Sequence, residues 1–368
     1  MNKFVDVAKK SIFNITPYVP GKPIEEVERE YKIKNIVKLA SNENPLGPSK
    51  FALNILKKKL KNINLYPDSS AYYLKKSLSK YLKVSKDMLV FGNGSNELEQ
   101  LIVEIFVNPG EEVLFSELSF VVYPIVTHIA GGIPVQVPHK NFKHDIDGFI
   151  SRLSNKTKLV FLCNPNNPTG TILTKDEFEK FMRNVNSRTI VVLDEAYFEY
   201  VRCKDCPDGI KYLKTYSNLI VLRTFSKIYG LAGLRIGYGV ADKDIVDLIE
   251  RVRPPFNVNM LAQYAAEAAL KDKTHINKTL KTNEQGKIFL YKELKKLNID
   301  FIKTYANFIF VKFNSDSKSI FEKLLRKGVI IRPFGGNFAR ITIGKLKDNI
   351  KLIKALKNVV KYQMPAVN

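Results

Sequence analysis

The sequence predicts an α/β protein in which a large unit is built on a mostly parallel, doubly wound sheet and is followed by a smaller α+β unit. Three observations carry this expectation. Between about residues 88 and 240, short apolar runs alternate with amphipathic stretches, the pattern of strands connected by helices in a parallel sheet. After RPPFNVN the pattern changes to a long helical region, about 259 to 297, then two short strands and a closing basic amphipathic helix. The prolines at 254 and 255 interrupt both patterns and mark the junction. The expected division is an arm plus the start of the small unit over 1–35, the large unit over 36–255 and the small unit over 256–368.

Taken in order, MLVF (88–91), EVLF, PVQV, KLVFL, TIVVLD, LIVLR and IGYGV (236–240) read as strands, being short, β-branched and bounded by turn residues. A helix begins at Ser95, because Leu98, Leu101, Ile102, Ile105 and Phe106 recur on one helical face. Another begins at Thr174, which with Glu177 has the spacing of a capping box. In the second unit NFIFVKF and ARITIG read as strands.

The chain has 368 residues, 45% of them hydrophobic, enough for a substantial core in about two domains. The segment MNKFVDVAKKS has no apolar run of secretory length, and no segment approaches the roughly 20 apolar residues of a membrane span, so a soluble cytoplasmic protein with no membrane partner is expected. The formal charge of +23 raises nucleic acid as a partner, but the lysines are spread along the chain. Runs such as KKKLK (57–61) and KELKK (292–296) sit on helix-like segments as solvated faces, so no nucleic-acid partner is expected. Cys163 ends an apolar run as a buried thiol, and Cys203 with Cys206 forms a C-x-x-C without a second pair, read as a coincidental loop pair and not a metal site.

The chemistry-bearing residues fall at the ends of the expected strands, where open α/β sheets bind ligands. VFGNGSNELEQL (90–101) runs strand, glycine turn, helix start; it is either an ordinary turn or a cradle whose N–H groups face an anion. It lacks the third glycine of a dinucleotide fingerprint, and no Walker A sequence occurs. NPNNPTG (164–170) is a proline-fixed loop after a buried strand. Asp194 ends the strand of VVLDEAYFEY, where a carboxylate requires a cationic or hydrogen-bonding partner. In TFSKIYGLAGLRIGYG (224–239), Thr224, Ser226 and Lys227 leave a strand end and Arg235 follows eight positions on, past two glycines. Each feature alone has a bland explanation. Together they match the needs of pyridoxal 5'-phosphate: a lysine for its aldehyde, donors for its phosphate and a carboxylate for its ring nitrogen.

With these segments the chain resembles, over nearly its full length, the fold-type I pyridoxal-phosphate aminotransferases, and among them the histidinol-phosphate aminotransferase group. The matching stretches also include NITPYVPGKP (14–23), KLASNENPLGPS (38–49), YPD (66–68), SFVVY (119–123) and RITIG (340–344). The resemblance implies that Lys227 holds the cofactor and moves the proton, that Asp194 pairs with the ring nitrogen, and that Tyr197 and Asn167 bond the ring oxygen. It implies that Phe120 stacks on the ring, that Ser95, Asn96, Thr224, Ser226 and Arg235 hold the phosphate, and that Tyr66 arrives from the partner of a homodimer. Arg340, helped by Arg332 and Tyr18, is implied to grip the substrate's anion. The implied reaction passes the amino group of L-histidinol phosphate to 2-oxoglutarate, giving imidazolyl-oxopropyl phosphate and L-glutamate, in histidine biosynthesis. The sequence leaves two same-fold alternatives, an aromatic amino-acid aminotransferase and a threonine-phosphate decarboxylase, and one of another class, a non-catalytic basic nucleic-acid-binding protein. His128, His139, His144 and His275 fall outside every matched stretch and receive no catalytic or metal role.

Overall fold

The structure, a computed structural model, describes residues 4–18 and 20–361. Residues 1–3 of the expected arm, Val19 of the ITPYVPG stretch and residues 362–368 of the expected small unit lie outside the described residues. In chain order α1 (Ile24–Tyr31) and β1 (Val37–Lys38) are followed by α2 (Lys50–Lys59) and α3 (Tyr72–Leu82). Then come β2 (Leu89–Gly92), α4 (Ser95–Phe106), β3 (Glu112–Ser116), α5 (Val122–Ala130), β4 (Ile133–Val137) and α6 (Ile146–Arg152). They lead to β5 (Thr157–Cys163), α7 (Lys175–Asn184), β6 (Ile190–Asp194), β7 (Leu219–Thr224), β8 (Gly237–Val240) and α8 (Lys243–Val252). The remainder is α9 (Met260–Lys271), α10 (Lys273–Lys296), β9 (Asp300–Ile302), β10 (Phe308–Lys312), α11 (Ser317–Leu325), β11 (Val329–Ile330), β12 (Arg332–Pro333), β13 (Phe338–Thr342) and α12 (Leu346–Lys361).

All seven strands expected between 88 and 240 form one sheet, in the order β2-β8-β7-β6-β5-β3-β4. Its pairings are parallel except those of β8, which runs antiparallel to both neighbours. Apolar side chains alternate between its two faces: Val191, Leu193, Val221 and Tyr238 join a cluster on one side, while Val192, Ile220 and Leu222 join Leu98, Ile102 and Tyr123 on the other. A sheet buried on both faces requires the near-continuous apolar strands the sequence supplies.

The helix starts at Ser95 and Thr174 are as expected, the second with both bonds of its capping box. The helical region after the prolines is two helices. Asp272 ends α9 and caps α10, accepting a bond from the His275 N–H at 2.9 Å. The first of the two packs on α2 and α3. A four-stranded antiparallel sheet, β12-β13-β10-β9, and a parallel pair, β1-β11, complete the fold. Leu39, just after β1, is buried in the core of this second sheet, so the chain leaves it directly into the SNENP segment at the cleft.

Candidate active site

The carboxyl ends of β2, β3, β5, β6 and β7 open on one cavity of about 260 Å³. It is lined by Ser95, Asn96, Phe120, Asn167, Asp194, Tyr197, Thr224, Ser226, Lys227 and Arg235, and from the other wall by Tyr18, Arg332 and Arg340. Every site residue expected from the sequence lines it except Tyr66, which is 82% exposed and stacks on Phe256 at 4.8 Å.

At one end the chain forms an anion cradle. Helix α4 begins at Ser95 with no side-chain cap among the described residues, and a helix of its 12 residues carries a partial positive charge there. Gly237 of β8 lies between Gly92 and Thr224 in the sheet, and a Cβ on it would sit 2.4 Å from the Ser95 nitrogen, so only glycine lets the helix start seat this close. Gly94 has φ +80°, and a Cβ there would meet the Arg235 Nη2 at 2.4 Å. The guanidinium therefore lies against the turn. Arg235 itself has φ 57°, an uncommon conformation for a residue with a side chain. The Thr224 and Ser226 hydroxyls are 3.0 Å apart beside it.

At the floor, Asp194 is buried at the end of β6. Its Oδ2 accepts a bond from the Tyr123 hydroxyl at 2.7 Å, and its Oδ1 one from the Ala196 N–H at 3.1 Å. Burial holds its carboxyl above the usual range, while these two bonds and the Lys227 charge pull it back. Lys227 is pushed down to about 8, first by burial and then by the neighbouring Arg340 and Arg235. Its Nζ lies 5.6 Å from the centre of the Tyr197 ring. The Tyr197 hydroxyl accepts a bond from Asn42 Nδ2 at 2.9 Å, and burial raises its pKa.

At the far wall, Arg340 donates to Asn167 Oδ1 at 2.5 Å and to the Ala40 carbonyl at 2.6 Å, while its Nε has no partner among the described residues. It lies over the Phe308 and Phe334 rings. Arg332 pairs with Arg340 across β12 and β13 and faces the Tyr18 ring at 5.3 Å. With Lys227 and Arg235 these make a cavity that favours anions, offset by Asp194 and by Glu43, which is paired to Lys38 at 2.8 Å.

Tyr123 and Asn42 hold the two central side chains in place, yet neither was assigned a role from the sequence. Both lie in stretches quoted there, SFVVY and LASNENP, and a buried tyrosine near a strand-end aspartate is the signal that could have found the first. The C-x-x-C cysteines lie outside the cavity, and no group of metal-binding side chains occurs among the described residues.

The chain belongs to the family described as aminotransferase class I and II, whose pattern matches residues 34–356. Its individual relatives narrow this further. It is 46% identical to a histidinol-phosphate aminotransferase of Caldicellulosiruptor saccharolyticus over 356 residues, 96% of this chain and 99% of that one. It is also 46% identical to a histidinol-phosphate aminotransferase of Moorella thermoacetica, over 97% of this chain and 94% of the relative. The crystal structure of a histidinol-phosphate aminotransferase from Sinorhizobium meliloti in complex with pyridoxal-5'-phosphate has a TM-score of 0.89 at 26% identity, covering 95% of this chain and 97% of that one. The fold class and family read from the sequence are borne out.

Proposed function

We propose that the protein is a pyridoxal-phosphate-dependent aminotransferase that moves the amino group of L-histidinol phosphate to 2-oxoglutarate, giving imidazolyl-oxopropyl phosphate and L-glutamate in histidine biosynthesis. The observation that carries this reading is a single cavity in which a half-buried lysine, its pKa lowered to about 8, stands between a buried aspartate and two arginines. The donor set fits the cofactor. The α4 start, the Thr224 and Ser226 hydroxyls and Arg235 suit a phosphate, Asp194 suits a protonated ring nitrogen, Asn167 and Tyr197 suit the ring oxygen, and Phe120 supplies an aromatic wall. The Nε of Arg340 is a donor with no acceptor among the described residues.

Bound there, the cofactor supplies an aldehyde to take up the amine and an electron-poor ring to accept the Cα electrons. The protein's own residues do the rest. Lys227 Nζ, neutral in a useful fraction because it is buried among cations, takes the proton from the substrate's Cα and returns it elsewhere. Asp194, held by Tyr123, keeps the ring nitrogen charged. Arg340, with Arg332 and Tyr18, grips the phosphate of one substrate and the carboxylate of the other, which a planar guanidinium does equally through two parallel bonds.

The reading includes a homodimer in the cytoplasm. Tyr66 stands outside its own chain's cavity, and exposed Phe51, Leu60, Ile63, Leu65 and Tyr73 lie on α2, α3 and the segment between them, so a second copy covering them would carry Tyr66 to the other active site. No described helix is long and apolar enough to cross a membrane. The proposed division puts 36–255 around the seven-stranded sheet and 256–368 around the four-stranded one, with two elements crossing it: α9 packs on α2 and α3, and β1 pairs with β11. The reading is tested by adding histidinol phosphate with 2-oxoglutarate, then phenylalanine, then threonine phosphate. Glutamate formed chiefly with histidinol phosphate supports it, whereas carbon dioxide from threonine phosphate, or preference for phenylalanine, sinks it.

A further inference from the structure

Glu99 is the buried acid for which the mechanism above has no use. It lies on α4 at 0% exposure, one turn past the anion cradle, and neither carboxylate oxygen has a hydrogen-bond partner among the described residues. Its face of the sheet is the one that carries Cys163 and Asp194, which are register partners on β5 and β6. Helix α5 brings Tyr123, bonded to Asp194, and His128 a turn and a half further on. The other neighbours offer no charge: α8 presents Ile245, Val246 and Ile249 with Lys243, Asp244, Asp247 and Arg251 exposed, β2 presents Val90, β7 presents Ile220 and Leu222, and β8 presents its glycines. On α4 itself, Glu97 is spent on Asn93 and Asn257, and Glu104 is exposed and bonded to Gln100. Of the nearby cations among the described residues, Lys227 acts on Asp194, and Arg235 lies against the Gly94 turn at the start of α4.

We propose that Glu99 and Asp194 are a buried carboxyl pair holding one proton between them, that the proton resides on Glu99, and that cofactor loading weakens the hold on it. The location follows from the partners. Asp194 has the Tyr123 hydroxyl, an N–H and Lys227 to stabilise a negative charge, while Glu99 has none and would bear the full desolvation of an isolated carboxylate. Burial, and then repulsion from Asp194, hold Glu99 well above its usual range. The weakening follows from Coulomb's law, since a cationic ring nitrogen on Asp194 cancels the repulsion that adds to burial in keeping Glu99 protonated. Glu99 is thus a positioning residue that acts through Asp194. Only this weakening rests on the function proposed above.

The test compares wild type with Glu99→Gln and, should that variant fail to fold, Glu99→Leu. In cofactor-free protein, the melting gap between variant and wild type should be smallest at acid pH and widen as pH rises beyond the ordinary carboxylate range. The folded state keeps the Glu99 proton that the unfolded chain has lost, so wild type alone loses stability there. In an Asp194→Asn background the widening should level off at lower pH. A gap that does not change with pH, or one indifferent to Asp194→Asn, overturns the pair. Titration calorimetry with pyridoxal 5'-phosphate in buffers of different ionisation enthalpy, run at the alkaline end of the pH range over which the melting gap widens, should show wild type releasing more protons on binding than Glu99→Gln. Equal release overturns the coupling. Wild type that binds no pyridoxal 5'-phosphate at all contradicts the proposed function instead and leaves the melting series to judge the pair.

Discussion

Replacing Lys227 with methionine should make the cofactor-free protein more stable, by an amount that depends on pH in a defined direction. The amine falls from 10.5 to about 8 on folding, so below pH 8 the folded chain carries, partly desolvated and beside two arginines, a charged group that the unfolded chain carries in water. At about 1.4 kcal/mol per unit, this costs on the order of 3 kcal/mol at pH 7. Between 8 and 10.5 the unfolded chain binds more protons than the folded one, so wild type gains stability as pH rises, and above 10.5 the cost is gone. Methionine matches the lysine stem and carries no charge. Urea unfolding of both proteins at several pH values should therefore show a Lys227→Met advantage of about 3 kcal/mol near neutrality that shrinks through this window. The same depression leaves about one lysine in ten neutral at pH 7, against about one in three thousand for an unshifted amine. A gap that is constant across pH, or that favours wild type at pH 7, would refute the reasoning.

Three further outcomes follow from particular contacts. Arg223→Met removes the bonds to Glu195 at 2.6 and 2.8 Å and to Asp208 at 2.8 Å, leaving Glu195 buried and unpaired; roughly 3–5 kcal/mol of stability should be lost in urea titrations. Gly94→Ala places a methyl against Arg235 at a φ of +80°, so the dissociation constant for pyridoxal 5'-phosphate, measured by equilibrium dialysis, should rise by about tenfold or more, with about 1 kcal/mol lost from the fold. Mixing unfolded-and-refolded Lys227→Ala and Tyr66→Ala chains, each inactive alone, should restore turnover through hybrid dimers with one intact site; no recovery despite demonstrated hybrids would remove Tyr66 from the partner's site.

The legible parts of the fold were those with a local cause. Each strand of the large sheet is a short apolar run with turn residues beside it, and the Thr174 capping box is a four-residue pattern. The paired strands Val37–Lys38 and Val329–Ile330 are too short to show alternation, and they exist because they meet across almost the whole chain. The break at Asp272 was hidden because helical periodicity resumes on its far side. At the site, Lys227, Asp194 and Arg235 stood out as charges at strand ends, whereas the support given by Tyr123 and Asn42 depends on bonds spanning 71 and 155 residues of sequence. Glu99 was passed over because the helix around it was recognised by its apolar positions, among which an acid at a buried position leaves the count unchanged.

The reversal of β8 bears on how rigidly the lysine is held. A parallel continuation of β7 would need a crossover of about a dozen residues or more lying on a face of the sheet, and would carry Lys227 away from the strand ends. Instead the chain turns back within 12 residues, from Thr224 to its ladder partner Gly237, and is stitched inside the sheet between β7 and β2. The reactive segment is a closed loop whose two ends are ladder bonds of the protein's central sheet, and the Phe225 N–H, bonded to the Ile236 carbonyl, closes it further. Amide hydrogen exchange at Phe225 and at β8 should then be as slow as in the innermost strands, so that the backbone around Lys227 opens only when the domain as a whole unfolds.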